Sequence, residues 1–513
     1  MILPNMLPND AYNAQLLAHV HPPEWHNPTP HAKYNLVVIG AGSAGLISAI
    51  AAAGLGGKVA LIEKNWMGGD CLNSGCVPSK TIIRSAKVMG EIQRAAALGV
   101  NVATPQVDFA AVMQRMRRVR AGISHHDSAQ RFTELGVDVF FGEGQFTSAN
   151  TVEVRDAQGS RVSLNFKKAI IATGSRALVL PILGLKEAGF LTNETVFELT
   201  ERPARLAIIG AGPIGCELAQ AFQRLGSAVN VFDIAPQVLP REEPAAAKIV
   251  QHALERDGVK LALASTIERV TLTGATKHIH FNNASGAHRL EVDAILMAVG
   301  RTPNIENLDL ERVGVKTDKT GVWVDDYLQT SNPNILAAGD VCMAYKFTHV
   351  ADFSARIALQ NALFSPFGIG RRKFSNLVIP WCTYTDPEVA HVGLYAHEAQ
   401  KQNIAYDTFE VPFSAVDRAI ADDENEGYVS VLTRKGSDVI LGATIVGRHA
   451  GELISEITLA MTNKLGLKAI ATTIHPYPTQ AEGVRKAADA WNRTRLTPRA
   501  KTLLGQWLAW GRR

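Results

Sequence analysis

Cysteine is scarce in this chain: five residues in 513, namely Cys71, Cys76, Cys216, Cys342 and Cys382. An odd, low count excludes a secreted disulfide framework and fits a reducing, cytoplasmic setting. Blocks of like charge are missing too. The net charge is +4, and no run of five or more like charges occurs, so no nucleic-acid partner is expected. A secretory leader is not visible. The first thirty residues carry Pro4, Pro8, Pro22, Pro23, Pro28 and Pro30 and lack a basic start followed by an apolar core. Residues 1–33 are therefore expected to form an irregular arm. The one long uncharged stretch, 36–57, contains six glycines. A strand, a turn and a helix explain it better than a transmembrane segment.

What is present is organised around glycine. The apolar run 36–39 reads as a buried parallel strand. Gly40-Ala41-Gly42-Ser43-Ala44-Gly45 follows it, and a second strand, 59–62, ends at Glu63. The pattern recurs as strand 206–209, Gly210-Ala211-Gly212-Pro213-Ile214-Gly215, and strand 229–232 ending at Asp233. Each acid lies 23 residues after the first glycine of its turn. One glycine makes the tight turn, one lets the backbone approach a pyrophosphate, and one lets helix pack on strand. The helix N-terminus offers free amides to the phosphates, and the acid accepts from ribose hydroxyls. A single such turn is weak evidence, but two with the same acidic offset predict two dinucleotide sites.

The run Gly68-Gly69-Asp70-Cys71-Leu72-Asn73-Ser74-Gly75-Cys76-Val77-Pro78-Ser79-Lys80 follows the first unit. A close cysteine pair in a cysteine-poor chain reads as a redox-active disulfide beside a flavin. The first turn is thus expected to hold the flavin and the second the nicotinamide cofactor. Asp233 favours NADH over NADPH, since a carboxylate repels a 2′-phosphate; Arg241 is read as a surface arginine. Pro78 suits a first helical turn, which places the pair near a helix N-terminus, where the partial positive charge favours thiolate.

Together these residues resemble the class I pyridine nucleotide–disulfide oxidoreductases, which include dihydrolipoyl dehydrogenase, glutathione reductase and mercuric reductase. The similarity runs in order from about residue 34 to 490. It implies an α/β fold with two Rossmann-like dinucleotide-binding domains, for FAD and NAD, and an α+β dimerisation domain. The implied layout is a FAD domain in two parts, 34–180 and 301–372, an NAD(P) domain at 181–300, an interface domain at 373–490 and a tail at 491–513. The implied FAD residues are Gly40, Gly42, Gly45, Glu63, Lys80, Gly144, Thr173, Gly174, Gly339 and Asp340. The implied NAD residues are Gly210, Gly212, Gly215, Glu217, Asp233 and Gly300. By the same resemblance Cys76 is the thiolate held against the flavin, Cys71 is the more accessible thiol, and Lys80 pairs with Glu217. A homodimer is implied, with a small-molecule or thiol/disulfide acceptor and no resident metal.

The sequence departs from the family in Ile474-His475-Pro476-Tyr477-Pro478-Thr479-Gln480-Ala481-Glu482. Tyr477 stands where the family's acid–base histidine is expected, as in mercuric reductase, and Glu482 is in place. The catalytic set is therefore read as Cys71, Cys76, Lys80, Tyr477 and Glu482, with His475 as a substitute base if the loop shifts. No cysteine follows Cys382, so the vicinal C-terminal pair of mercuric reductases is missing. Alternative readings are dihydrolipoyl dehydrogenase and a low-turnover flavoprotein sensor. Cys216, Cys342 and Cys382 read as structural. Residues 109–135 read as one long helix, with Arg115, Arg117, Arg118 and Arg120 on a solvated face and His125-His126 unsuited to paired ligation. The tail, with Trp507 and Trp510 among basic residues, is read as docking on a partner subunit in preference to a membrane surface.

Overall fold

The computed structural model describes residues 6–512. Tyr34–Ile39 is the centre of a sheet, parallel to Val59–Glu63 on one side and to Arg161–Ile171 on the other. Val137–Phe141 extends the sheet beyond Val59–Glu63. Leu36, Val37 and Val38 are fully buried, as a strand covered on both faces requires. Helix Ser43–Gly54 covers one face together with Thr348–Leu363. The chain then leaves this sheet and builds a second one, in the order Lys260–Ala262, Ala228–Phe232, Arg205–Ile209, Ala294–Met297, all parallel. It returns at Ile335–Ala337, which pairs with Arg161–Ile171 of the first sheet.

The last large unit is a five-stranded antiparallel sheet, Pro380–Thr383, Glu388–Gly393, Ile440–Gly447, Tyr428–Arg434 and Tyr406–Pro412, backed by helices Ala450–Thr462 and Glu482–Thr494. The cysteine helix, Cys76–Arg94, lies where these units meet. Its Ile82, Ile83 and Ala86 share a core with Leu206, Ile208 and Leu218 of the second unit and with Val389 and Val446 of the antiparallel sheet. Buried ions reinforce this junction. Arg224 bridges Asp257 and Asp386, each at 2.8 Å, and Lys87 of the cysteine helix reaches Glu388 at 2.8 Å. Burial works against the Asp386 charge, yet Arg224 holds its carboxyl below the usual range.

Three expectations change. The N-terminal arm is not irregular throughout: Ala11–Val20 is a helix, started by Asp10, whose side chain accepts from Asn13 N. The predicted helix 109–135 is broken into Phe109–Ile123, a single turn at Ser124–Asp127 and Ala129–Glu134. The break occurs because Ser128 caps a new helix, accepting from Arg131 N. Arg117 and Arg120 are buried rather than solvated. Arg117 pairs with Asp10 at 2.6 Å, and Arg120 donates to Asn13 Oδ1 at 2.7 Å, so both hold the N-terminal helix in place.

Candidate functional site

Both glycine turns show why glycine is needed. Gly40 and Gly210 have φ of +101° and +111°, in the left-handed region. A Cβ on Gly45 or Gly215 would collide with the carbonyl oxygen of Gly40 or Gly210. The helices Ser43–Gly54 and Pro213–Arg224 start after Gly42 and Gly212, and neither start has a side-chain cap. The first-turn amides are thus left for another acceptor. A Cβ on Gly212 would meet nothing within 4 Å, which leaves room for close approach of a ligand. Gly174 and Gly300 close the cleft beside each turn with positive φ and the same open space. These cradles fit the pyrophosphates of two dinucleotides.

The acids are used alike. Glu63 Oε2 accepts from Ala41 N at 2.7 Å, and its Oε1 from Asn65 N at 2.7 Å. Asp233 Oδ2 accepts from Ala211 N at 2.7 Å, and its Oδ1 from Ala235 N at 2.8 Å. Each carboxylate therefore ties the second strand to the glycine turn, a role not foreseen beside ribose binding. Glu63 is buried and its carboxyl is pushed up by that burial, whereas Asp233 is half-buried. Gly144 lies above Ile39 and Ile62 at the ends of the first two strands. Thr173 Oγ1 donates to Asn304 O at 2.6 Å, and Gly174 O accepts from Asn304 N at 3.0 Å. Gly339, with φ +77°, sits close against Ala44 and Ala351.

The cysteines come from two elements, the short helix Gly69–Asn73 and the first position of Cys76–Arg94. A Cβ on Gly69 would meet the Cα of Gly42 at 2.6 Å, so the cysteine segment starts directly on the first glycine turn. Both sulfurs are thiols here. The Cys71 thiol hydrogen-bonds to Cys76, and this first of all lowers the Cys76 pKa to about 6. Burial opposes the shift, while Thr348 Oγ1, 3.4 Å from Cys76 Sγ, and Lys80 add to it. The Cys71 pKa is pushed up by the same hydrogen bond and by burial. Cys76 opens the long helix at the cleft, while Cys71 is folded back in the preceding short helix.

Lys80 Nζ donates to Glu217 Oε2 at 2.7 Å, and Glu217 is buried. Burial works against the Lys80 charge, but Glu217 holds the ammonium above its ordinary pKa. Sequence reasoning missed several neighbours. Tyr384 N donates to Glu217 Oε1 at 2.9 Å, and the Tyr384 ring lies 4.7 Å from Lys80 Nζ. Cys382 lies on the strand Pro380–Thr383, two residues before Tyr384, and burial pushes its thiol up. Arg301 donates to Asp70, next to Cys71, and to Ser175 Oγ at 2.7 Å. Ser175 Oγ donates in turn to Asp340 Oδ2 at 2.6 Å. Arg120 donates to Asn73 O, between the cysteines, at 2.7 Å. These contacts join segments far apart in the chain.

The Tyr477 segment is separate. Among the described residues no hydrogen bond or ion pair joins it to the cysteines. Tyr477 is 70% exposed, and its hydroxyl donates to Asp417 Oδ2 at 3.1 Å rather than to Glu482. That contact raises its pKa. Glu482 is buried; Arg485 donates to its Oε1 at 3.1 Å, and its Oε2 has no partner among the described residues. His475 Nε2 is engaged by Glu456 at 2.9 Å.

The pyridine nucleotide-disulphide oxidoreductase model matches residues 34–355, and the dimerisation-domain model of the same name matches 379–488. A mercuric reductase of Lysinibacillus sphaericus is 34% identical over 456 residues, covering 89% of this chain and 82% of the relative. A dihydrolipoyl dehydrogenase of Chlamydia muridarum is also 34% identical over 456 residues, covering 88% and 95%. Among solved structures, LpdA from Mycobacterium tuberculosis aligns with a TM-score of 0.80 at 27% identity, covering 89% of this chain and 99% of that one. A Cu(II) complex of the HOCl-induced flavoprotein disulfide reductase RclA from Escherichia coli aligns at 0.78 and 26%, covering 90% and 100%.

Proposed function

Because this chain belongs to the pyridine nucleotide-disulphide oxidoreductase family, whose members use FAD and NAD(P)H, we propose that it spends NADH to reduce a small disulfide or a related soft electrophile through Cys71 and Cys76, in the manner of a mercuric reductase. When bound, the two dinucleotides supply hydride transfer and two-electron reduction of a disulfide. The chain's own residues do the rest. The observation that carries the reading is Cys76 at the first position of a helix, contacted by Cys71 and Thr348, with the Lys80–Glu217 pair one turn on. This arrangement keeps one sulfur ionised and the other protonated, as a dithiol needs in order to attack with one sulfur and close with the other.

Tyr477 bears on the acceptor. Tied to Asp417 and with its pKa raised, it donates a hydrogen bond but does not move a proton near neutral pH. That favours an acceptor whose release needs no protonated thiol, and it argues against dihydrolipoyl dehydrogenase. The names of a mercuric reductase and of a structural neighbour described as a Cu(II) complex support thiol-binding metal ions as candidates. The preference for NADH rests on Asp233, the homodimer on the matched dimerisation segment, and a reducing cytoplasm on the scarcity of cysteine. Among the described residues no helix is long and apolar enough to cross a membrane.

The test is steady-state NADH oxidation by the holoenzyme with mercuric ion, cupric ion, oxidised glutathione, lipoamide, quinones and oxygen as acceptors. Turnover with a soft metal ion or a non-lipoyl disulfide is expected. Rapid lipoamide turnover would overturn the reading of Tyr477, and failure with every acceptor would favour a redox sensor.

A further inference from the structure

The chain ends in a helix with no place in the chemistry. Pro498–Trp510 starts cleanly: the Thr497 side chain accepts from Ala500 N at 3.2 Å, and Pro498 occupies the first turn. The helix is therefore encoded locally, yet none of its residues is buried. Leu503, Trp507 and Trp510 recur at the spacing of one helix face, and Leu504 and Leu508 widen that face. They are 67%, 67%, 69%, 50% and 63% exposed. The two indole rings are 5.6 Å apart. Arg499 flanks one edge of the apolar face and Lys501 the other.

We propose that this helix docks the enzyme on an anionic lipid bilayer surface, lying in the interface rather than crossing it. Charge selects this occupant. From Trp491 to Arg513 the sequence holds six Arg and Lys residues and no Asp or Glu. A groove beside the start of the helix is lined by Asn492, Arg493, Arg495 and Leu496, giving a lipid phosphate hydrogen-bond donors and two cations. Tryptophan and leucine on one face with lysine and arginine on the flanks suit the headgroup boundary, where indole rings and long basic stems each keep a polar end in water. A second copy of this chain is the poorer occupant. The matched dimerisation segment ends at residue 488, and a two-fold contact through this helix would set identical positive edges against each other.

The holoenzyme is mixed with vesicles of phosphatidylcholine alone and of equal parts phosphatidylcholine and phosphatidylglycerol. We expect co-sedimentation with the mixed vesicles only, weakened by salt. The double variant Trp507→Ser, Trp510→Ser should weaken vesicle binding about tenfold or more. Its sedimentation mass and its NADH turnover with a water-soluble acceptor should stay unchanged. Brominated lipid in the mixed vesicles should quench tryptophan emission of the parent protein and lose that extra quenching in the variant. Absence of binding to anionic vesicles, or binding untouched by the double variant, would overturn the proposal. So would dissociation of the oligomer by the variant, which would assign the face to a second copy.

Discussion

The two glycine turns share a backbone and differ in what presses on them. Gly40 and Gly210 have nearly the same φ, and Glu63 and Asp233 make matching bonds to the turn amides. Against the first turn, however, lies Gly69, two residues before Cys71, and its acid is buried. The second turn faces open space at Gly212, and its acid is half-buried. One cradle is enclosed by the residues that receive the electrons, and the other is left accessible from outside. This difference suits a cofactor that stays and a coenzyme that is exchanged at every turnover.

The strongest test compares two cysteines, one beside each turn. Cys76→Ser should lower acceptor reduction on the order of 10³-fold or more, since nucleophile losses are of this kind. It should also abolish the long-wavelength thiolate-to-flavin absorption that Cys71→Ser retains. Cys216→Ser should leave turnover within about twofold, because a hydroxyl can replace the thiol that donates to Ala211 O. Equal losses at both positions would remove the distinction.

Next come the glycines. Gly45→Ala forces a Cβ onto Gly40 O and should cost about 1–3 kcal/mol with loss of flavin on gel filtration. Gly212→Ala should fold and keep flavin but raise the KM for NADH about tenfold, as its Cβ enters the space of a pyrophosphate. The acids should separate in the same way. Glu63→Ala strands two amides and should lower stability by about 1–3 kcal/mol in chemical denaturation. Asp233→Ala should change stability less and lower the NADH-to-NADPH ratio of kcat/KM about tenfold.

The smallest effect is on proton affinity. In the reduced enzyme, the thiolate-to-flavin absorption should fade as the pH falls through about 6, because the Cys76 thiolate that gives it becomes protonated. Cys71, whose pKa is pushed up, should stay silent through that range. Lys80→Met removes a cation that favours the thiolate, so the midpoint should move upward. A midpoint that stayed put would mean that Cys71 and Thr348 alone set the ionisation.

The glycine turns, the cysteine run and the Lys80–Glu217 pair were legible in the sequence because each is fixed by a local or family pattern. Residues such as Gly45 are dictated by a backbone contact five positions away in the chain. Thr348, Tyr384 and Arg120 were not legible, since each meets its partner only after segments far apart in sequence are stacked. The N-terminal helix was legible in principle from Asp10 as a cap, but the prolines around it pointed the other way. Arg117 then follows, because its partner Asp10 caps that helix, and Arg120 follows in part, since one of its two partners is Asn13 and the other Asn73 O.

The Lys80–Glu217 and Arg224–Asp386 bridges bear on how such an enzyme can be re-engineered. Each spans elements that look like separate cassettes on a linear map. A grafted nicotinamide-binding segment would have to carry a glutamate at the place of Glu217 and an arginine at that of Arg224, or buried charges would be stranded at the seam. Altering coenzyme choice here therefore calls for point changes around Asp233 rather than exchange of the whole module.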